Sequence, residues 1–498
     1  MSPRGVPRPV PIFHNGSALS GTLPLCIDLD GTLLRTDTLI EGFCALAATP
    51  AVGPTLLRLL HGRAAFKQAV AAAAPLDPAL LPYNDTLLDY LRRQKAAGRY
   101  LVLATAADRR VAEAIAAHLG IFNEVIASDG TRNLKGEAKA SALVDRFGVN
   151  GFCYAGNARS DLAIWRQAGA VILVNAPTDV VARVRGKMKV ELAIADQPAV
   201  VPELLRAMRP HQWVKNILAF VPILAAHALT QPSAWIGGLI IFVSFCCTAS
   251  SIYLINDLMD IRADRTHAHK RLRPFAAGTL PAPTGMLAAV VLLVAGLLAA
   301  HTRGVAPVIL VYAAMSVGYS LILKQLPLVD VFMLAALYTI RLVGGGEATG
   351  HRLSLWLLGF SGFLFLSLAL LKRVEELMSM EAAGGSKIAR RGYLVSDATI
   401  MQQFGVAAAF ASSIVLALYV QNEANIQGYA SPALLWLLVP LMLFWQCRMW
   451  LSGARGYMHH DPIVYAARDW VSRAIGVAVV AVVVVAKSVP FLASGAGP

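Results

Sequence analysis

Apolar positions are distributed unevenly along the chain, and the pattern changes near residue 205. Before that point, short apolar runs such as "LPLCIDL" and "RYLVLAT" alternate with longer mixed segments, which predicts buried strands alternating with helices. From about residue 214 onward, apolar windows long enough to cross a bilayer, or nearly so, recur to the end of the chain. The pattern predicts an α/β domain followed by an all-α transmembrane bundle.

The apolar windows of the second part predict about nine helices, centred near residues 222, 244, 292, 313, 337, 362, 411, 439 and 481. We therefore expect three parts in the chain. Residues 1–21, rich in Pro, Gly and Ser, form a disordered tail; residues 22–198 form the α/β domain, with a mostly helical insertion at about 37–95; and residues 205–492 form the bundle.

Composition supports a membrane protein. The 498 residues include only 15% charged residues, and the mean hydropathy is +0.57. The net charge is +14, but the basic residues lie beside the apolar runs without interleaved aromatics, which favours membrane topology over a nucleic-acid partner. The six cysteines show no paired spacing, so neither disulfides nor a zinc site is expected. The first 24 residues lack an apolar core of signal-peptide length, so nothing there indicates export.

The distribution of Lys and Arg predicts the orientation. If the α/β domain is cytoplasmic, the loops on its side of the membrane carry fifteen Lys and Arg residues, whereas the opposite loops carry only Arg303 and Arg352. Such a bias is typical of cytoplasmic loops. The sequence predicts a multi-pass protein of the inner or plasma membrane, with the α/β domain and the loop after the second helix in the cytoplasm.

That loop contains "NDLMDIRAD", residues 256–264. If the second helix continues through it, Asn256, Asp257, Asp260, Asp264 and His267 fall within an arc of roughly 100° on one face. Unpaired carboxylates at the end of a membrane helix would cost several kcal/mol each. They need a divalent cation, and Mg²⁺ prefers carboxylates together with phosphate oxygens.

The following run, "HKRLRP", supplies Lys270, Arg271 and Arg273 as donors for the remaining phosphate charge. Together the two runs predict a Mg²⁺-dependent diphosphate site. The competing interpretation is a solvated loop whose charges only set topology, but topology requires the basic residues and not the aspartates.

"NDLMDIRAD" resembles the NDxxDxxxD signature of the UbiA superfamily of intramembrane prenyltransferases, and "RPHQWVKN", which contains Lys215, resembles the segment before the first helix in that superfamily. The resemblance covers about residues 205–490. It implies nine helices around a cavity open to lipid, with Asp257, Asp260 and Asp264 holding Mg²⁺, Asn256 orienting them, and Lys215 binding substrate.

A second cytoplasmic loop, "LLKRVEELMSMEAAGGSKIARRGYLVSD", indicates the branch. It lacks the second DxxxD of prenyl-diphosphate enzymes and is similar to the KRxxEL and R…Y pattern of the polyprenyl-phosphate phosphoribosyltransferases. "DRTHAHKRLRPFAAG" is similar to that branch's DxxHPxKRxRPIA, with Ala268 in place of Pro. The implied phosphate-binding residues are Lys270, Arg271, Arg273, Lys372, Arg373, Arg390 and Tyr393, with Lys324 and Asp330 as weaker candidates.

The implied partners are the membrane, a polyprenyl phosphate acceptor and a phosphoribosyl diphosphate donor, whose extra phosphate oxygens the additional cations would neutralise. An alternative is an aromatic or quinone prenyltransferase that uses a prenyl diphosphate. Another is a lipid-binding scaffold, although a scaffold has no use for three carboxylates at a membrane boundary. Lys324 could simply set topology, and Glu375 and Glu376 could simply pair with Lys372.

The first part of the chain contains four motifs in order. They are "LPLCIDLDGTLL", "RYLVLATAADRR", "NLKGEAKASALVDRFG" and "GFCYAGNARSDLAIW". The series resembles the haloacid dehalogenase (HAD) superfamily, in which the helical insertion is a cap. The resemblance implies Asp28 as nucleophile and Asp30 as general acid and base, with Thr105 and Lys139 binding the phosphoryl group; Lys135 is a rival for Lys139.

The same resemblance implies a Mg²⁺ site formed by Asp28, the backbone carbonyl of Asp30, Asn157 and Asp161. Asn157 stands where the superfamily usually has aspartate, which should weaken Mg²⁺ binding. The domain is then either a slower phosphatase, which would remove the 5-phosphate of the transfer product, or a degenerate domain with a binding or regulatory role.

Overall fold

The computed structural model describes residues 23–47, 52–58, 63–129, 133–351, 353–382, 391–422, 428–458 and 461–489. The predicted tail at residues 1–21 and the predicted site residue Arg390 lie outside them. The chain divides into two compact units. The first unit is Met1–Ala207 with Leu254–Leu287, and the second is Met208–Tyr253 with Ala288–Pro498. The first unit thus combines the α/β domain with Leu254–Leu287, called here the aspartate segment.

The α/β domain is built on a six-stranded parallel sheet of order β3-β2-β1-β4-β5-β6. Its strands are β1 (Leu25–Ile27), β2 (Leu101–Asp108), β3 (Glu124–Ser128), β4 (Cys153–Gly156), β5 (Ala170–Val174) and β6 (Val190–Ile194). The strands are almost continuously apolar because both faces are covered. Leu25 and Ile27 pack into one core, while Cys26 between them packs into the other. Because β1 lies between β2 and β4 in the parallel sheet, its carboxyl end lies between theirs. Open α/β sheets bind ligands at this end of the strands.

The predicted helical cap is confirmed. Between β1 and β2 lie the helices Thr38–Ala47, Val52–Leu57, Arg63–Ala73 and Asp85–Ala96, with a 3₁₀ turn at Pro78–Leu80. The helices that follow β2 are Arg109–Leu119, Glu137–Phe147, Leu162–Trp165, Thr178–Val184 and Val200–Met208. A side-chain cap defines the start of the last of these cap helices, Asp85–Ala96: the side chain of Asn84 accepts a hydrogen bond from the Leu87 amide.

The aspartate segment departs from the continuous helix assumed for it. Helix Pro232–Met259 ends at Met259, Asp260 leaves the helical region with φ −95° and ψ 8°, and a short helix, Ile261–Arg265, follows. The i to i+4 backbone hydrogen bonds survive the break, from Asp260 N to Asn256 O (2.9 Å) and from Asp264 N to Asp260 O (2.8 Å). The chain direction is therefore kept, although the helix is interrupted.

Seven helices within the described residues are long and apolar enough to cross a membrane, rather than the nine predicted. They are Pro232–Met259, Ala282–His301, Val329–Thr349, Leu355–Ala382, Val395–Gln421, Pro432–Ala454 and Trp470–Ser488. The window near residue 313 forms Ala306–Leu321, about 24 Å long at 1.5 Å per residue and so shorter than the hydrocarbon core. The window near 222 forms a 3₁₀ helix, Pro210–Phe220, and a single turn, Val221–Ala225.

Two local features accompany the short helical pieces near residue 222. The turn Val221–Ala225 ends just before His227, which adopts a left-handed conformation with φ 57°. In the second unit, helix Val329–Thr349 carries three consecutive glycines, Gly344–Gly346. A Cβ atom at Gly345 would collide with the backbone of Ala219, so the missing side chain lets the 3₁₀ segment approach this helix closely.

Candidate active sites

The first site lies at the carboxyl end of β1. Asp28 directly follows the strand, and Lys139 lies in the first turn of Glu137–Phe147. The Lys139 ammonium is buried, 2.8 Å from Asp28 Oδ1 and 3.0 Å from the Tyr154 hydroxyl. Lys135 also lines the cavity, but Lys139 is the lysine that contacts Asp28. Such a contact can stabilise the carboxylate and offset its repulsion of a phosphate ester.

Asp30 lies two residues beyond Asp28 in the same cavity. Its Oδ1 accepts a hydrogen bond from the Thr38 amide at 2.8 Å. Burial raises the pKa of Asp30 to about 7, and the nearby negative charge of Asp37 adds to the effect. A carboxyl group with a pKa near neutrality can both donate and accept a proton at physiological pH, as a general acid and base requires.

The loop after β4 supplies Asn157 and Asp161. Oδ2 of the buried Asp161 accepts hydrogen bonds from the amides of Asn157 and Ala158, both at 2.9 Å. Burial raises the pKa of Asp161 to about 6, and the charge of Asp28 adds to this. Glycine at 156 is required, because a Cβ there would lie 2.6 Å from Asp161 Oδ2.

These residues form a donor set suited to Mg²⁺. Asp28, Asn157 and Asp161 line one cavity of about 450 Å³ and offer two carboxylates and one amide oxygen. Oxygen ligands of this kind are those that Mg²⁺ prefers. Among the described residues, no group of three or more His, Cys, Asp and Glu side chains is placed to hold a metal ion. Because residue 157 is asparagine, this donor set carries one negative charge fewer than a set with aspartate at that position.

Thr105 is not part of the cavity wall. It is fully buried inside β2, which continues to Asp108, and its hydroxyl accepts a hydrogen bond from the Ala107 amide at 3.0 Å. The cap instead supplies Lys67, which lines the cavity and donates to the Ala106 carbonyl at 2.7 Å. Burial lowers the pKa of Lys67. No motif marks this lysine, so its position near the site was not predicted.

The second site lies in the aspartate segment, where Arg273 bridges two of the three aspartates. Its Nη1 is 3.1 Å from Asp257 Oδ1 and 2.8 Å from Asp264 Oδ2, and both carboxylates are buried. Asp260 is half-buried at the helix break between them. Asp257 and Asp264 thus converge on one positive charge, and their oxygens suit Mg²⁺ as well as a guanidinium.

The neighbouring cations of the segment are open to solvent. Lys270 and Arg271 are exposed on the 3₁₀ turn Lys270–Leu272, which precedes Arg273. Exposed ammonium and guanidinium groups beside a carboxylate pair provide donors for an incoming phosphate.

In the second unit, Asp461 gathers two of the predicted lysines. Its Oδ2 is 2.7 Å from Lys215 Nζ and 3.1 Å from Lys372 Nζ, and the Tyr338 hydroxyl lies 3.1 Å from both carboxylate oxygens. Burial alone would raise the pKa of Asp461, but the two lysines hold it well below its usual value. Asp461 was not predicted, because an aspartate before Pro462–Arg468 has the ordinary signature of a helix cap.

A separate buried cluster holds Arg373 and Tyr393. Arg373 has no exposed surface; its Nη2 lies 2.6 Å from Asp330 Oδ2, and its Nη1 contacts Glu376. The Tyr393 hydroxyl donates to Asp330 and accepts from the Leu328 amide at 2.7 Å. Arg373 is therefore placed to hold neighbouring elements together rather than to present donors to a phosphate. Glu376 pairs with Arg373 and not with Lys372.

Lys324, the remaining weak candidate, lies half-buried in the turn Leu323–Gln325, between two helices of the second unit. Arg391 lies within 4 Å of both Asp330 and Glu376, so it extends the buried cluster toward the loop that follows.

Comparisons with known proteins agree with this division. Residues 217–453 match the UbiA prenyltransferase family, and residues 25–166 match the haloacid dehalogenase-like hydrolases. An uncharacterized protein, y4nM, of Sinorhizobium fredii is 37% identical over 93% of this chain and 91% of its own length. The decaprenyl-phosphate phosphoribosyltransferase of Corynebacterium glutamicum is 41% identical over 36% of this chain and 56% of its own length.

Among solved structures, a UbiA homolog from Archaeoglobus fulgidus bound to GPP and Mg²⁺ is 16% identical, with a TM-score of 0.46 over 58% of this chain and 100% of its own. The two family matches occupy consecutive parts of the sequence, and the Sinorhizobium relative is similar across both parts. The chain is therefore an integral membrane enzyme of the UbiA prenyltransferase family that carries an N-terminal haloacid dehalogenase-like hydrolase domain.

Proposed function

We propose that this enzyme transfers a 5-phosphoribosyl group from phosphoribosyl diphosphate to a polyprenyl phosphate, and that its HAD domain then removes the 5-phosphate. The observation that carries the proposal is the pair of lysines, Lys215 and Lys372, gathered on Asp461 in the second unit. A prenyl diphosphate brings one diphosphate, whereas this donor and acceptor bring a diphosphate, a 5-phosphate and a lipid phosphate. Two additional cations suit the larger number of phosphate charges.

In the transfer step, an oxygen of the lipid phosphate bonds to the anomeric carbon while the bond from that carbon to diphosphate breaks, with inversion. Mg²⁺, when bound, would neutralise charge on the departing diphosphate, and Asp257 and Asp264 are the residues that would hold it. Lys270 and Arg271 are exposed to receive diphosphate oxygens. The products are a polyprenylphosphoryl 5-phosphoribose and diphosphate.

In the phosphatase step, Asp28 attacks the phosphorus of the 5-phosphate, and the bond to the ribose oxygen breaks. Asp30 donates the proton that this oxygen needs. Lys139 reduces the electrostatic repulsion between the Asp28 carboxylate and the phosphate ester. Asp30, now ionised, takes a proton from the water that hydrolyses the phosphorylated Asp28. The final products are inorganic phosphate and a polyprenylphosphoryl ribose.

We place both active sites on the cytoplasmic side, since the loops on that side carry fifteen of the seventeen loop Lys and Arg residues counted in the sequence. Labelling of a cysteine introduced at the exposed Leu272 by a membrane-impermeant reagent, in intact and in inverted vesicles, tests this side directly. Reaction in intact vesicles only would contradict it.

The function is tested with purified protein in lipid nanodiscs, Mg²⁺, polyprenyl phosphate and phosphoribosyl diphosphate labelled in the ribose. We expect labelled lipid without a 5-phosphate. Asp28→Asn should accumulate the phosphorylated lipid, and Asp257→Asn should give no labelled lipid. Turnover of a prenyl diphosphate with an aromatic acid, in place of lipid labelling, would favour the aromatic prenyltransferase alternative. A phosphorylated lipid that persists with the unaltered protein would identify the HAD domain as degenerate.

A further inference from the structure

The cavity beside Asp28 has two walls of opposite character. Asp28, Lys139 and Asp161 form the charged wall. The other wall belongs to the aspartate segment and consists of apolar residues: Ile261, Phe275, Leu280, Pro281, Ala282 and Pro283. Binding and cleaving a phosphate ester requires only the charged wall. The apolar wall therefore faces the part of the substrate that lies beyond the phosphate.

The apolar wall is anchored to the cap by buried contacts. Arg265 forms a bidentate ion pair with Glu41, with Nη1 to Oε2 at 2.8 Å and Nη2 to Oε1 at 2.6 Å, and each side chain is only 6% exposed. Arg262 donates to the carbonyls of Ala74 and Pro75 at 3.1 and 2.8 Å. A buried charge pair is costly unless its geometry is well formed. The wall is therefore a fixed part of the phosphatase site.

A close backbone approach completes this anchor. Gly278 has φ +70°, and a Cβ atom there would lie 2.8 Å from Arg35 Cβ. Glycine thus meets two requirements at once, a left-handed conformation and the absence of a side chain against the α/β domain.

The same wall continues into an apolar helix. Ala282 and Pro283 are the first two residues of Ala282–His301, one of the seven helices long and apolar enough to span a bilayer. Only 17% of its apolar window is buried inside the protein, so most of this helix is available to lipid. A substrate whose hydrocarbon tail stays in the bilayer can therefore reach Asp28 along the start of this helix.

We propose that the aspartate segment is the specificity wall of the phosphatase and selects a phosphate monoester carried by a polyprenyl-linked sugar over soluble sugar phosphates. The inference rests on the proposed function, because it takes the transfer product as the phosphatase substrate. One segment then contributes to both reactions: Ile261 lines the phosphatase cavity, and Asp264, one turn later, pairs with Arg273. The lipid product is recognised beside the aspartates that take part in its formation.

The test places a charge on the wall of the full-length protein in nanodiscs. Pro283 is exposed at the second position of its helix, where glutamate is favoured by the helix dipole, so Pro283→Glu should fold. Phosphate release is measured from synthetic prenylphosphoryl 5-phosphoribose and from ribose 5-phosphate. We expect the ratio of kcat/KM for the lipid to kcat/KM for ribose 5-phosphate to fall about tenfold or more, because a carboxylate opposes an apolar chain.

The matched control is Leu272→Glu, which adds the same charge to an exposed apolar residue of the same segment that does not line the cavity. It should leave the ratio unchanged. Damage to the fold by either substitution would lower both activities together without lowering their ratio. A lowered ratio therefore cannot come from a folding defect. The proposal is overturned if Pro283→Glu keeps the original ratio, or if Leu272→Glu lowers it equally.

Because the lipid is supplied ready-made, the outcome does not depend on the transfer step. Protein that makes no lipid from phosphoribosyl diphosphate, yet prefers the supplied lipid phosphate, would refute the transfer and keep this inference. Protein that performs the transfer but hydrolyses ribose 5-phosphate equally well would refute the inference and keep the transfer. Release of no phosphate from either substrate would also overturn the inference.

Discussion

The Lys215 ammonium lies 2.7 Å from the Asp461 carboxylate, although 246 residues separate the two in the chain. The same carboxylate oxygen contacts Lys372 at 3.1 Å. Two ammonium groups held this close would repel one another without a counter-charge. Asp461 is thus a positioning residue: it allows two cations to be held together where phosphate oxygens can join them.

Asp461→Asn keeps the shape of the side chain and removes the counter-charge. We expect kcat/KM for phosphoribosyl diphosphate to fall about tenfold or more, since breaking a buried ion pair leaves its cations uncompensated. Transfer is measured as labelled lipid formed by nanodisc-embedded protein. Phosphate release from p-nitrophenyl phosphate in the same preparation shows whether the HAD domain is intact.

Asp469→Asn is the matched control for that experiment, because Asp469 also accepts hydrogen bonds at a helix start and pairs with a single arginine, Arg448. It should leave transfer nearly unchanged. Equal losses of transfer in the two variants would show that Asp461 acts only through stability.

Lys139→Met removes the cation beside Asp28 while keeping an unbranched side chain. We expect phosphate release to fall about 10²- to 10³-fold, the usual cost of losing one preorganised charge-stabilising group. The assay uses p-nitrophenyl phosphate and saturating Mg²⁺. Lys135→Met is the control from the same cavity, and it should have a clearly smaller effect because Lys139 makes the contact with Asp28. The reverse order would assign the role to Lys135.

Asn157→Asp adds a third carboxylate to the donor set that Asp28 and Asp161 form in the HAD domain. The Mg²⁺ concentration for half-maximal phosphatase activity should fall, by about tenfold, because affinity for hard cations rises with the number of charged ligands. Asp161→Asn should move it in the opposite direction. A Mg²⁺ titration of phosphate release measures both. If Asn157→Asp leaves the midpoint unchanged, residue 157 does not face the metal.

Glu41→Gln tests the anchor between the cap and the aspartate segment. The change leaves Arg265 buried without its charge partner, so the free energy of unfolding should fall by about 3 kcal/mol. Thermal unfolding of the detergent-solubilised protein, followed by tryptophan fluorescence, provides the measurement. Asp89→Asn breaks an exposed pair with Arg92 and should change stability by less than about 0.5 kcal/mol. Equal effects would mean that the Glu41 pair is not buried in solution.

Much of the architecture can be predicted from local features of the sequence. The change of apolar pattern near residue 205 separates strands from membrane helices, because strand burial and bilayer thickness each impose a length and period on the sequence. The resemblance of four ordered motifs to the HAD superfamily assigned Asp28 and Asn157 to one site, and each of the two residues directly follows a strand of the parallel sheet. The count of nine membrane-spanning helices is not confirmed: seven helices of the described residues are long and apolar enough. Apolar windows do not show where a backbone turns, as it does at His227.

Only the tertiary structure decided which side chains meet. It brought Lys139 to Asp28, placed Arg273 between two aspartates, buried Arg373 on Asp330, and gathered Lys215 and Lys372 on Asp461. It also set the aspartate segment against the cap through Arg265 and Glu41. The physical reason is that such pairs depend on how separately formed helices and strands pack. Periodicity and motif spacing fix each element's own geometry but not the neighbour it will contact.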